Sequence, residues 1–252
     1  MLSQSDKKTN QIEKTIIFTN PKTNNMASIQ KNSLDFLTDL EQNNNREWFT
    51  ENKASYTKER ENIISFADDL LVEMNKHDLL ENENGKKCIF RIYRDVRFSK
   101  NKLPYKTHWG LNLKRATKKL RGGYYVHIKS GECFVGVGFW SPEPKDLKRI
   151  RTQFTMFGEE FQQIIKDKEF VKTFGALQGE KLKNGPKGFD KEDPHIELLK
   201  FKQFLISKSF SDEEVLSKDF AKKVSVTFKK ARPFLDFMSE ALTTDTNGEP
   251  LF

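Results

Sequence analysis

The chain has 252 residues, 36% of them apolar and 22 of them Phe, enough to fill one large or two small globular cores and too many for wholesale disorder. Two cysteines, Cys88 and Cys133, are too few for a disulfide scaffold or a Cys-built metal site, and apolar runs such as Ile16–Phe18 fall far short of the roughly 18 residues of a membrane span or the roughly 7 to 15 of a signal peptide. Lys and Arg number 44 against 36 Asp and Glu, a net charge of +8, and the excess is local: between Lys86 and Arg121 thirteen cations face one acid, Asp95, so that this stretch is +12 and the rest of the chain −4. The expectation is a soluble, cytoplasmic protein with no membrane partner and an attraction to anions.

Residues 1–25 are polar and lack amphipathic periodicity, which predicts a poorly ordered tail, with a single domain over 26–252 and Met26 as its natural start. Leu34, Phe36, Leu37 and Leu40 keep helical spacing over 29–41, and Asn43–Asn45 offer a stop and a new N-cap before a short helix carrying Trp48 and Phe49. Tyr56, Ile63, Ala67, Leu70, Leu71 and Met74 predict a long amphipathic helix over 53–76. Between 88 and 98 the period changes to two. Cys88, Phe90, Ile92, Val96 and Phe98 then share one face and Ile89, Arg91, Tyr93, Asp95 and Arg97 the other, the pattern of a strand. Lys114, Arg115, Lys118, Lys119 and Arg121 read as solvated surface.

Two alternating runs, 123–129 and 132–140, flank Ser130–Gly131 and predict a β-hairpin with Tyr125 and His127 on one face. In its second strand Gly136 and Gly138 remove side chains where something comes close, a packed helix being the commoner reason. Pro142 and Pro144 open a helix whose apolar steps run from Leu147 to Ile165 and cover a sheet face; residues 175–194 form a long Gly- and Pro-rich loop; a short strand over 199–207 follows. Residues 217–242 form a last amphipathic helix, kinked or interrupted at Pro233. The fold class expected is α+β, a mostly antiparallel sheet of four to six strands with amphipathic helices packed chiefly on one face.

The densest set of donors lies in Arg91, Arg94, Asp95, Arg97, Lys100, Lys102, Tyr105, Lys106 and His108. On a strand, Arg91, Asp95 and Arg97 would sit about 6 to 7 Å apart per two residues, so that Asp95 could brace a guanidinium fork suited to phosphate or carboxylate. Arg94 would fall on the apolar face, where it must reach an edge, a carboxylate or a bound anion. The loop over 99–106, fixed by Pro104, then presents its lysines as point charges, with Tyr105 and His108 able to stack or donate.

The string Arg91-Ile-Tyr-Arg94-Asp95-Val-Arg97-Phe98-Ser-Lys100-Asn-Lys102-Leu-Pro104-Tyr105-Lys106 resembles the signature of a widespread, mainly bacterial family of conserved hypothetical proteins catalogued as a domain of unknown function. The resemblance extends to Asn43–Phe49 with Lys53 and Tyr56, to Tyr124–Tyr125, to Gly136-x-Gly138-x-Trp140-x-Pro142, and to Pro186–Asp190 with Pro194. It implies one intact domain from about Ile29 to Leu242 and brings no activity with it. It departs from expectation at Asp193–Pro194, where His-Pro is expected, and so lends that position no catalytic role.

There is no Gly-x-Ser-x-Gly elbow, no phosphate-cradling Gly-x-x-x-x-Gly-Lys loop and no His-Glu-x-x-His helix, and His77, His108, His127 and His195 are scattered. Three readings stand. A small phosphate- or carboxylate-bearing ligand is gripped by Arg91, Arg94 and Arg97 with Asp95 orienting them and Lys100, Lys102, Tyr105, Lys106, His108, Tyr125 and His127 completing the site. A nucleic acid, the less favoured partner, tracks the +12 segment with its bases on tyrosines. Or the Arg–Asp motif is a core ion-pair network of a structural or interaction protein. No catalytic residue or cofactor is assigned.

Overall fold

The computed structural model describes residues 26–245 and 247–251, so the tail expected over 1–25 lies outside the described residues. Four strands, β1 (Trp109–Lys114), β2 (Gly123–Ile128), β3 (Phe134–Phe139) and β4 (Phe204–Ser209), form an antiparallel sheet in the order β1-β2-β3-β4. Around them stand α1 (Lys31–Gln42), α2 (Arg46–Glu51), α3 (Lys53–Met74), α4 (Gly85–Cys88), α5 (Pro144–Lys166), α6 (Lys168–Phe174), α7 (Ile196–Leu199), α8 (Asp212–Leu216), α9 (Phe220–Lys230) and α10 (Arg232–Thr243). The fold is α+β; of the described residues 47% are helical and 15% lie in strands or isolated bridges.

Alternation along the strands decides where the helices go. Trp109, Leu111 and Leu113 of β1, Tyr124, Val126 and Ile128 of β2, Val135 and Val137 of β3, and Phe204 and Ile206 of β4 are buried on one face. Helices supply the other wall of this core: Phe36 of α1 lies 6.3 Å from the Trp109 ring, Phe228 of α9 lies 4.7 Å from Tyr124, and Phe154 of α5 meets Phe204 edge-on. The residues between these, among them Asn112, Tyr125, His127, Phe134, Gly136 and Ser207, stay half-exposed on the opposite face. At about 25 cal/mol per Å² of apolar area, only the first face adds greatly to stability.

Local chemistry fixes the element ends. Asn45 caps α2, its side chain accepting from the Trp48 N–H, which is worth about 1 kcal/mol. Pro233 sits in the first turn of α10, where no helical N–H is needed, and the predicted C-terminal helix is therefore two helices meeting at Ala231. Gly138 has φ +134°, and a Cβ there would lie 2.0 Å from the Phe204 carbonyl oxygen, so β4 and not a helix dictates this glycine.

Two expectations about the strands are corrected. Residues 88–98 are not a strand of the sheet: after α4 the chain runs beside β1 and makes only the isolated bridges Ile89↔Leu111 and Tyr93↔Tyr105. The strand that pairs with β2 in its place is β1, inside the basic stretch. The strand expected over 199–207 begins later, at Phe204, because α7 and a turn occupy its first residues.

Candidate functional site

The basic stretch divides into two environments. Arg115, read from sequence as solvated, is fully buried. Its Nε donates to Asp78 at 2.8 Å, its Nη2 to Asp236 at 2.6 Å, and its Nη1 to the Ser239 hydroxyl and the Arg121 carbonyl. The Tyr124 hydroxyl also donates to Asp78, and burial, seconded by that bond, raises the phenol's pKa far above its ordinary value. Every charge in this network is met by another, as burial demands.

Residues 91–106 form the other environment. The Arg94 N–H donates to the Pro104 carbonyl and the Lys106 N–H to that of Ile92, so the chain leaves and returns at a two-residue neck and projects the turn between. The neck is clamped from α1 and α2. Asn44, between them, donates through Nδ2 to the Tyr105 carbonyl and accepts through Oδ1 from the Tyr105 N–H, both at 3.1 Å. Phe49 of α2 stacks on the Tyr105 ring at 4.1 Å, Tyr56 of α3 lies 5.1 Å from Phe49, and Tyr93 lies 5.3 Å from Tyr105. Tyr105 is thus 4% exposed, and it anchors the loop where the sequence suggested a group closing over ligand.

In and beyond the neck several cations are tethered and still keep unspent donors. Arg97 donates through Nε and Nη2 to the two oxygens of Asp95, at 3.0 and 2.7 Å, leaving Nη1 outward. This pair pulls the Asp95 carboxyl below and pushes the Arg97 guanidinium above their ordinary ranges. Arg94 spends Nη1 on the Leu103 carbonyl, Lys102 donates to that of Val96, and Lys106 to that of Arg91. Arg91 and Lys100 are exposed, and among the described residues no carboxylate lies within ion-pair distance of Arg91, Arg94, Lys100, Lys102 or Lys106. Since Arg97 is 77% and Asp95 46% exposed at the side chain, the motif is not a core ion-pair network; that role belongs to Arg115. A shallow open cleft of about 540 Å³ runs between the loop and α2, lined by Asn44, Arg46, Glu47, Val96, Lys102 and Pro104, among others. At the tip Phe98 is 96% exposed.

The remaining predicted residues lie on the open face of the sheet. His108 stacks on His127 at 4.2 Å, and His127 Nδ1 shares a 2.9 Å hydrogen bond with the Tyr125 hydroxyl. Burial, with His127, Lys106 and Lys129 nearby, pushes the His108 imidazole down to about 4; burial lowers His127 as well and raises Tyr125 to about 12. Lys106 connects the two parts, its Nζ 5.1 Å above the Phe90 ring, which in turn lies 6.2 Å from Tyr125. Arg91, Lys106, His108, Tyr125 and His127 therefore come together, while Arg94, Asp95, Arg97, Lys100 and Lys102 stand out on the loop. Sequence reading missed Phe90 and Phe134, which flank Tyr125, and Asn44, whose clamp had no local pattern to reveal it. Among the described residues no group of three His, Cys, Asp or Glu is placed to hold a metal ion, and no helix is long and apolar enough to cross a membrane.

A four-stranded antiparallel sheet with helices on one face and a clamped cationic loop at its edge defines an α+β protein with an open, rather than enclosed, candidate site. Residues 32–237 match the family model described as Conserved hypothetical protein (DUF2461), and the chain belongs to that family. No curated protein and no solved structure matches it.

Proposed function

We propose that the loop over 91–106 recognises a phosphate-bearing anion. The observation that carries this reading is the pattern of half-spent donors: Arg94, Lys102 and Lys106 are each held by one side-chain bond and Arg97 by two to a single carboxylate, and all four keep further N–H groups unbonded. Holding a long cation in place before binding removes part of its ordering cost, and leaving it without a neutralising partner keeps its attraction for the ligand. A guanidinium braced by Asp95 presents a flat edge, which fits the oxygens of phosphate, while lysines add point charges. The cleft beside the loop is open, so phosphate groups of an extended ligand fit it better than a small molecule that must be enclosed.

Calorimetric titration with tripolyphosphate at two salt concentrations tests this. Saturable binding that weakens with salt and falls by about tenfold or more in Arg94→Ala and in Arg97→Ala is expected, as each variant removes a charge-assisted contact. No saturable binding by the wild type, or equal binding by both variants, would overturn it.

A further inference from the structure

We infer that the open face of the sheet is a stacking platform for the bases of a single-stranded nucleic acid whose phosphates run onto the 91–106 loop. This rests on the phosphate reading above and names the ligand that would carry those phosphates.

The first support is a glycine without a packing reason. Gly136 pairs with Tyr125 on one side and Ser207 on the other, and a Cβ built on it would meet nothing closer than 3.9 Å. No helix covers it, and its φ is not in the left-handed region, so neither close packing nor backbone strain demands glycine. The result is a smooth floor walled by Tyr125 and Phe134, whose rings lie 5.8 Å apart. Gly110 is glycine for the opposite reason: Phe90 and Tyr125 close over it, each 3.1 Å from where a Cβ would stand, and Phe90 itself is 47% exposed. Aromatic side chains left on the solvent side of a sheet contribute little to its core. They do offer π-faces on which any base can lie.

The second support is charge. From the strand register, the open face carries Gly110, Asn112 and Lys114 of β1, Gly123, Tyr125 and His127 of β2, Phe134, Gly136 and Gly138 of β3, and Leu205, Ser207 and Ser209 of β4. None of these is acidic. Lys114 stands at one end of the face, and Arg91 and Lys106 adjoin it beside Phe90, whereas the chain outside Lys86–Arg121 is net negative. Asn112, Ser207 and Gln178, which is hydrogen-bonded to the Ser207 hydroxyl at 2.9 Å, supply donors and acceptors for base edges. A protein partner would want a larger apolar patch, and a duplex would offer no free ring faces.

The test is fluorescence anisotropy with labelled (dT)12, (rU)12 and a 12-base-pair duplex, run on wild type, Gly136→Leu and Phe134→Ser, with tripolyphosphate titrated in parallel. A leucine at 136 has room for its Cβ and stands where a base would lie. Expected is single-strand binding tighter than duplex binding, reduced by about tenfold in both variants, the size of one lost stack, with tripolyphosphate affinity unchanged. The better of the two strands tells DNA from RNA. Duplex binding equal to single-strand binding, or single-strand binding unaffected by either variant, would overturn the platform while an intact tripolyphosphate response leaves the loop reading standing. Loss of the tripolyphosphate response in wild type would remove both.

Discussion

Arg115 and Arg97 come from the same basic stretch, and the fold treats them in opposite ways. Arg115 is buried with each of its three side-chain nitrogens answered, by Asp78, Asp236, Ser239 and a backbone carbonyl. Arg97 is exposed, answered on one edge by Asp95 and open on the other. Burial makes the first set of charges part of the architecture, because an unanswered charge there would unfold the protein. Exposure frees the second set from that demand, and its fixed but incomplete bonding leaves donors for a partner. Net charge alone says nothing of this division.

The comparison breaks most sharply at Arg115. Replacing it by Met leaves Asp78 and Asp236 facing each other without their shared cation, and a loss of about 3–5 kcal/mol is expected in urea unfolding. A change below 1 kcal/mol would mean that Arg232, which also reaches Asp78 at 3.4 Å, carries the network instead.

A smaller effect is expected at Asn44, where Ala leaves the buried Tyr105 N–H and carbonyl without partners at a cost of about 2 kcal/mol. Because the same side chain holds the neck of the loop, tripolyphosphate affinity should fall with it, although Asn44 is no cation. Stability lost with affinity retained would separate the clamp from the loop's function.

The open face adds a pH dependence of similar size. His108 is held near 4 by burial and by its neighbours His127, Lys106 and Lys129, with Glu132 opposing, against an ordinary value of 6.5. The folded state thus binds this proton less well than the unfolded state. Its contribution is fully present above pH 6.5 and is lost as pH falls toward 4, about 2 kcal/mol in all after allowing for partial solvation. In His108→Phe the unfolding midpoint should vary less across that window; an unchanged pH profile would place the sensitivity elsewhere.

Much of the architecture was legible because its period was unmistakable. The helices α1, α3 and α5 each repeat an apolar face, and the hairpin of β2 and β3 shows alternation on both sides of Ser130–Gly131. The period-two run over 88–98 misled for a physical reason: Phe90 at 47% and Phe98 at 96% exposure are apolar residues facing solvent, which alternation cannot distinguish from a core face. The true strand, β1, alternates Trp109, Leu111 and Leu113 with Gly110, Asn112 and Lys114, but sits within charges that read as surface. At the site, the donor-rich string was visible as composition. Which cations are neutralised was not, since Asp78 and Asp236 reach Arg115 from 37 and 121 residues away.

The division between neutralised and available arginines is tested most directly by thermal unfolding of wild type, Arg115→Met and the Arg94→Ala/Arg97→Ala double variant, each with and without tripolyphosphate. Expected is a double variant that melts where wild type does but gains nothing from the anion, and an Arg115→Met protein that melts lower by roughly 6–20 °C, at about 2–4 °C per kcal/mol for a domain of this size, yet is still stabilised by it. A double variant that melts far below wild type, or that is stabilised by the anion as strongly, would contradict it.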